Sequence, residues 1–161
     1  MRHSRIGLPD NTKMTAIALL QKALVDTLDL RLAVKQAHWT VKGSDFQQLH
    51  ELFDSFVEPL DDEVDTIAER ISILGGVPDG RAVTVGTGSK LEAYPLEGGA
   101  GKSHLEWLAD RFAALGDHIR EAIDQADDAG DADTADIFTG TSRFLDKSLW
   151  FIEAHLPAAE A

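Results

Sequence analysis

The chain has 161 residues, of which 28 are acidic and 15 are basic, so its formal net charge is −13. With 43% hydrophobic residues it is too apolar for a disordered acidic chain, and its length suits one domain with a real core. It contains no cysteine, which excludes a disulfide scaffold, a thiolate zinc site and a cysteine nucleophile.

The sequence shows no feature of a membrane or secreted protein. No apolar run reaches the roughly 18 residues that a membrane-spanning helix needs, and the first thirteen residues contain no apolar core of a signal peptide. An acidic surface also disfavours nonspecific binding to DNA or to anionic membranes. We therefore expect a cytoplasmic protein with no membrane partner.

Two long helices are predicted in the first half of the chain. Leucines recur every four residues within the first, from about residue 12 to residue 41, and Lys42-Gly43 follows as a helix end. The second is expected to begin at a capping box, Ser-Asp-Phe-Gln from Ser44, and to end at Gly75. Pro59 lies inside this second helix, so we expect a kink there. Its apolar residues form the strongest periodic pattern in the sequence: Phe46, Leu49, Phe53, Phe56, Leu60, Val64, Ile67, Ile71 and Leu74.

A long connection and two further helices complete the predicted fold. Residues 75–102 hold eight of the 13 glycines and are too many for a turn, so they must cross the bundle, with a short helix near residues 89–93. The last two helices are predicted at about 103–126 and 134–155, with Asp133 or Thr134 as an N-cap. The result is an all-α, four-helix bundle with one long crossover between helices 2 and 3, which is the connectivity of ferritin-like bundles. The bundle is expected to span residues 12–156, between a short flexible tail at 1–11 and another at 157–161.

Candidate metal ligands lie on the first two predicted helices. His38 is near the end of the first, while His50/Asp54 and Asp65/Glu69 form two pairs on the second. Residues at i and i+4 project from one helix face, so each pair can chelate a cation. Asp54 and Asp65 are eleven residues apart, about three turns, so the two pairs share one face. Imidazole and carboxylate ligands together suit Fe(II), although a solvated polar face is the alternative for each residue alone.

The distance between the two pairs limits how they can bind one metal centre. Their midpoints are about fifteen residues apart, or roughly 22 Å along a helix. A dinuclear site needs its metals only about 3.5–4 Å apart. Antiparallel pairing of this helix with its copy, about a two-fold axis near Pro59 and Leu60, would place His50/Asp54 of one chain opposite Asp65/Glu69 of the other. The spacing therefore predicts a metal site shared between subunits.

The same residues resemble a known family. Five segments of the sequence are similar to the Dps family, the DNA-binding proteins from starved cells. They are His-Trp-Thr-Val-Lys-Gly from His38, Asp-Thr-Ile-Ala-Glu-Arg from Asp65, Leu74–Gly76, Thr-Ala-Asp-Ile-Phe from Thr134 and Asp-Lys-Ser-Leu-Trp-Phe from Asp146. The similarity extends over nearly the whole chain beyond the first ten residues. It implies a ferritin-like bundle that assembles as a hollow homo-oligomer of twelve subunits.

The resemblance also implies an enzymatic activity, that of a ferroxidase. The five ligand candidates have the spacing of the family's ferroxidase site, in which His38, His50 and Asp54 come from one subunit and Asp65 and Glu69 from its two-fold partner. Such a mini-ferritin oxidises Fe(II), preferably with hydrogen peroxide, and stores ferric mineral inside the shell, which protects against oxidative stress. Trp39 lies beside the family's site, where it intercepts oxidising radicals; packing in the interface is its alternative role.

An aspartate-rich turn between the last two predicted helices has two interpretations. It is either a solvated turn with helix caps or, by the resemblance, part of a three-fold pore through which carboxylates attract Fe(II). Its members are Asp124, Asp127, Asp128, Asp131, Asp133 and Asp136. The residues that best match the family's pore are Asp127 and Asp136, joined by either Asp131 or Asp133.

DNA binding is the part of the family's activity that this sequence supports least. Family members that bind DNA use lysine-rich tails, whereas the N-terminal segment offers only Arg2, Arg5 and Lys13, and residues 156–161 have no basic side chain. We therefore expect little DNA binding at physiological salt. Two alternatives to the iron-storing enzyme stay open: a nucleoid-associated, DNA-compacting protein with secondary iron chemistry, and a helical assembly protein without metal.

Overall fold

The computed structural model describes residues 2–157, and all the named elements within that range are α-helices. Helices α2 and α3 follow one another closely, so that α1, α2–α3, α5 and α6 form the four arms of a bundle, while α4 lies in the crossover and packs on α1. The helices are α1 (Asp10–Thr40), α2 (Phe46–Ser55), α3 (Val57–Ile73), α4 (Ala82–Gly88), α5 (Gly101–Asp128) and α6 (Ala132–Glu153). This confirms the predicted all-α bundle with a long crossover. No helix in the described range is long and apolar enough to cross a membrane.

The core is one continuous cluster to which all four arms contribute. The apolar pattern of the second predicted helix supplies its centre, where Phe53, Leu60 and Ile67 are completely buried. Phe112 of α5 meets Phe56 with 5.5 Å between ring centres. Two residues that the periodicity places in the core, Leu32 and Phe46, are instead exposed, because they lie on faces that the single chain leaves uncovered.

The second predicted helix is divided into α2 and α3, and the division lies at Phe56 rather than at Pro59. The amide of Phe56 bonds to the carbonyl of Phe53, three residues back, at 3.3 Å. The α-helical pattern resumes when the amide of Leu60 bonds to the carbonyl of Phe56 at 3.1 Å. Pro59 is therefore the third residue of α3, where a backbone N–H has no partner within the helix in any case. The expected distortion exists, but it is displaced by three residues.

Several predicted helix signals are wrong in detail. Ser44 does not form the expected capping box: α2 begins after Asp45 with no side-chain cap, and the Ser44 hydroxyl instead donates to the Asp45 carboxylate at 3.2 Å. The short helix of the crossover is α4, not residues 89–93. The N-cap of α6 is Asp131, whose carboxylate accepts from the amide of Thr134 at 3.1 Å.

The N-terminal segment contacts the end of α3. The amide of Arg2 donates to the carbonyl of Gly75 at 2.7 Å, and the Ser4 hydroxyl donates to the carbonyl of Ile73 at 3.0 Å. Helix α1 begins at Asp10, so the segment before it is shorter than the 11 residues expected. Of the tail expected at 157–161, residues 158–161 lie outside the described range.

Candidate metal centre

The two candidate histidines form a reciprocal pair at the turn between α1 and α2. His38 is in the last turn of α1 and His50 is in α2, and Gly43 between them has a φ of 119°, which glycine adopts without strain. The imidazole rings stack with their centres 3.7 Å apart. Nδ1 of His38 lies 2.8 Å from the carbonyl oxygen of His50, and Nδ1 of His50 lies 2.8 Å from the carbonyl oxygen of His38.

These two contacts define which ring nitrogen carries the proton. A carbonyl oxygen can only accept, so Nδ1 must donate in both rings. A neutral imidazole with its proton on Nδ1 keeps its free electron pair on Nε2. Histidines that bind metals usually have this arrangement, in which a carbonyl or carboxylate fixes the other nitrogen. Both rings are therefore in the tautomer that binds a metal through Nε2.

Asp54 completes this group one turn after His50, but it is paired with a lysine. The Lys35 ammonium lies 2.7 Å from Oδ1 of Asp54, and Nδ1 of His38 lies 3.9 Å from the same oxygen. The hydrogen bond from Lys35 holds the pKa of the Asp54 carboxyl below its usual range, so the group is ionised at neutral pH. A metal ion that binds this oxygen must displace the ammonium. Lys35 lies three residues before His38, and that spacing was the available signal for its role.

Asp65 and Glu69, on α3, form a second and separate group. Both carboxylates are exposed, and neither takes part in an ion pair within residues 2–157. Glu69 lines a shallow, open depression together with Ala68, Ser72, Ile73 and Pro78. In the described part of one chain, no three His, Asp or Glu side chains are arranged to hold a metal ion. The structure thus brings the predicted ligands together in two groups and leaves the groups apart.

Exposed apolar side chains flank both groups. Beside the histidines, Trp39 is 66% exposed and Phe46 is 40% exposed; after Glu69, Ile73 is 50% exposed and Val77 is 65% exposed. The Lys35 ammonium also lies 5.9 Å from the centre of the Trp39 ring. Clustered exposed side chains of this size are typical of protein interfaces. Leu60, at the predicted two-fold axis, is fully buried in its own chain. A contact between two copies of the chain at this axis would therefore have to be formed by the exposed residues next to Leu60.

The aspartate-rich turn contains one buried carboxylate and several exposed ones. Asp131 is 1% exposed; it accepts from the Thr134 hydroxyl at 2.6 Å and from Nη2 of Arg70 at 2.7 Å. Because these bonds hold its carboxylate inside the chain, we expect Asp133 rather than Asp131 to join the pore. The other candidates, Asp127, Asp133 and Asp136, are exposed. No local pattern in the sequence indicates that Arg70 is the partner of Asp131, because the two residues are 61 positions apart in the chain.

Comparisons with known proteins agree with this fold. Residues 17–160 match the Ferritin family, described as a ferritin-like domain. A DNA protection during starvation protein of Agrobacterium fabrum is 49% identical over 149 residues, which cover 92% of each chain. The solved structure of Mycobacterium smegmatis Dps superposes with a TM-score of 0.93 at 31% identity, covering 99% of this chain and 96% of that one. DpsC from Streptomyces coelicolor gives a TM-score of 0.93 at 27% identity, covering 99% and 94%.

The bundle, its crossover and the match over most of the chain define a ferritin-like protein. Within that class, the relatives named above identify the group more narrowly. The chain belongs to the Dps family.

Proposed function

We propose that this chain is the subunit of a cytoplasmic mini-ferritin that oxidises Fe(II) at sites shared between two-fold partners and stores the ferric product. One observation carries the proposal: two incomplete ligand groups on one chain, each flanked by exposed apolar side chains. Burying both faces against a second copy would remove the apolar surface from water and complete the ligand set at two equivalent sites. Twelve subunits would then enclose the mineral, as the family resemblance implies.

The chain's residues have distinct roles in this proposal. His38 and His50 supply imidazoles whose Nδ1 atoms are held by carbonyl oxygens, so Nε2 is the atom through which each would bind Fe(II). Asp54 adds a carboxylate once Lys35 is displaced, and Asp65 and Glu69 come from the partner. Two Fe(II) ions each give one electron to hydrogen peroxide, which takes up two protons and leaves as two water molecules. Trp39, exposed beside the histidines, is placed to react with any one-electron oxidant that escapes.

The carboxylates of the α5–α6 turn have a separate role. Asp127, Asp133 and Asp136 are exposed near the junction of the two helices. In a shell they would concentrate Fe(II) at a three-fold entry through their combined negative potential. Iron is in each case the substrate and the stored product of the protein.

Complementation between two inactive variants tests the shared site. His50→Ala removes an imidazole from one half, and Asp65→Ala removes a carboxylate from the other, so each alone should slow peroxide-driven oxidation of Fe(II) by about tenfold or more. Co-expressed with two different affinity tags, they form mixed shells, which are isolated by both tags in turn. A dimer of one variant with the other has one doubly damaged site and one intact site. With random pairing, about a quarter of all sites are intact, and about a quarter of the wild-type activity should return.

A control variant and a measurement of particle size complete the complementation experiment. Asp110→Ala removes an exposed carboxylate of α5, away from both ligand pairs and from the predicted two-fold axis, and should leave oxidation unchanged. Light scattering first establishes that every sample is a particle near twelve times the 17.5 kDa subunit. If mixed shells are no more active than the average of the two pure variants, the site is not shared. A stable monomer at neutral pH would exclude the shared site outright.

A further inference from the structure

A cavity of about 270 Å³ lies between the first half of α1 and the second half of α5, away from the candidate metal centre. Gly88, the last residue of α4, and Lys90, two residues further on, also line it. None of its lining residues is one of the ligand or pore candidates. They are Leu19, Lys22, Ala23, Asp26, Gly88, Lys90, His118, Ile119, Glu121, Ala122 and Gln125.

The inner part of the cavity is apolar. Leu19 and Ala23 of α1 and Ile119 and Ala122 of α5 line it, and all four are buried. The two alanines are the reason that the space is not filled, since a larger side chain at either position would occupy it. Most small-molecule sites combine such an apolar interior with a few polar groups.

The buried carboxylate in the cavity wall, that of Asp26, has partners within the chain. Asp26 is 4% exposed, and its Oδ1 accepts from the backbone amide of Lys90 at 2.8 Å. Its Oδ2 lies 3.4 Å from Nδ1 of His118. Asp26 is therefore a buried charge held by the chain, not an exposed group at the mouth of the cavity. It instead fixes the crossover backbone and the imidazole at the mouth of the cavity.

The exposed charged side chains at the mouth are two lysines and one glutamate, so their sum is positive. Lys22 and Lys90 are exposed there, and within residues 2–157 neither ammonium pairs with a carboxylate. Glu121 is the single acidic side chain that lines the mouth besides Asp26. The two lysines favour an anionic group at the mouth, with an apolar body below it.

We propose that this cavity binds a small amphipathic monocarboxylate. The ligand's ring or short alkyl chain packs between Leu19, Ala23, Ile119 and Ala122, and its carboxylate accepts from the ammonium groups of Lys22 and Lys90. The volume lies below the usual range for drug-sized ligands, so the ligand has one ring or a chain of a few carbons. The cavity is independent of iron, and the proposal does not depend on the ferroxidase function.

Binding to the assembled, iron-free protein tests the proposal directly. The probes are 4-fluorobenzoate, followed by fluorine NMR, and hexanoate, followed by calorimetry and by displacement of 4-fluorobenzoate; the two distinguish an aromatic from an aliphatic ligand. At least one should bind saturably. 4-Fluorobenzyl alcohol, which has the same ring without the charge, should bind several-fold more weakly. Substituting Lys22→Gln and Lys90→Gln together should weaken binding about fivefold, while the backbone amide that holds Asp26 remains.

Two further variants separate the cavity from general charge effects. Ala122→Leu fills the apolar interior and should abolish binding, whereas Lys147→Gln removes a lysine of α6 outside the cavity and should leave binding unchanged. Particle size and helix content are measured for each variant, and Ala23→Leu replaces Ala122→Leu if the latter does not fold. No saturable binding by either probe at millimolar concentration overturns the proposal. Undiminished binding in the filled variant, or equal binding of the alcohol, does so too.

Discussion

At the scale of single residues, the pairing of Lys35 with Asp54 controls whether the histidine group can accept a cation. The ammonium lies 2.7 Å from Oδ1 of the carboxylate and competes with a metal ion for its negative charge. The pair is partly exposed, so its energy is modest. Lys35→Met keeps the aliphatic stem and removes the charge. We expect the affinity for Co²⁺, a spectroscopic substitute for Fe(II), to rise about two- to fivefold at neutral pH.

A control variant separates competition by Lys35 from a general change in the net charge of the protein. Lys42→Met removes an exposed lysine a few residues further along the chain, and it should leave the Co²⁺ affinity within error of the wild type. The ordinary pKa of an aspartate carboxyl, 3.8, already lies far below neutral, so Asp54 is ionised with or without the lowering by Lys35. Competition by Lys35 is thus the only difference expected. Equal affinities for the Lys35 and Lys42 variants would contradict this role.

The buried pair of Arg70 and Asp131 joins α3 to the α5–α6 turn. The side chains are 9% and 1% exposed, and their atoms lie 2.7 Å apart. Asp131→Asn keeps an oxygen for the amide of Thr134 but leaves the buried guanidinium with only the exposed, more distant carboxylate of Asp133. We expect it to lower the free energy of unfolding by about 3 kcal/mol, measured by urea denaturation at a fixed subunit concentration.

Asp133 provides the matched comparison for that substitution. Its side chain is 84% exposed, and its Oδ2 lies 3.7 Å from Nη1 of the same Arg70. Asp133→Asn should therefore change the free energy of unfolding by less than about 0.5 kcal/mol. Similar losses for the two variants would show that the burial of Asp131 is not what makes the pair important.

At the scale of helices, the start of α3 explains how a proline is tolerated within the long second arm. Pro59 is in the first turn of α3, so it removes no hydrogen bond that the helix would otherwise form. Pro59→Ala should consequently raise the free energy of unfolding by less than about 1 kcal/mol, not by the ~3 kcal/mol typical of a helix interior. Thermal and urea unfolding measure the change.

A proline placed further along the same helix shows the contrast. Val64→Pro lies in the middle of α3, where it removes an amide that bonds four residues back, and should cost about 3 kcal/mol or more. If Pro59→Ala stabilised the protein by a comparable amount, the break at Phe56 would have to be a strained kink imposed by the proline.

The helices and the ligand pattern follow from local spacing, and that is why the sequence predicts them. Residues such as Phe53 and Ile67 recur at helical intervals, and His50 and Asp54 share a face for the same reason. Contacts between distant segments have no such signal. The Arg70–Asp131 pair and the bonds of Arg2 and Ser4 to the end of α3 depend on packing of the whole bundle. The contact of Phe56, at the helix break, with Phe112 of α5 is likewise one between distant segments.

At the scale of the whole molecule, charge decides between the iron-storing enzyme and a DNA-compacting protein. Each chain carries a net charge of −13, so twelve copies would carry about −156 before iron is bound. Of the three N-terminal basic residues, Lys13 is buried at the start of α1, which leaves only the side chains of Arg2 and Arg5 exposed. Few cations are therefore available to neutralise phosphates, which is the main source of affinity for DNA.

The last prediction is that the assembled protein does not retard duplex DNA in a gel shift at about 150 mM salt. At roughly 10–20 mM salt, where the screening of charges is weak, arginines at the ends of twelve chains can act together and give weak retardation. Arg2→Ala combined with Arg5→Ala should remove that low-salt signal, whereas Arg143→Ala, on α6, should not. Both variants should keep full Fe(II) oxidation, because neither touches a ligand group. Tight retardation that persists at 150 mM salt would mean that a surface other than the N-terminal arginines overcomes the repulsion, and would favour the DNA-compacting alternative.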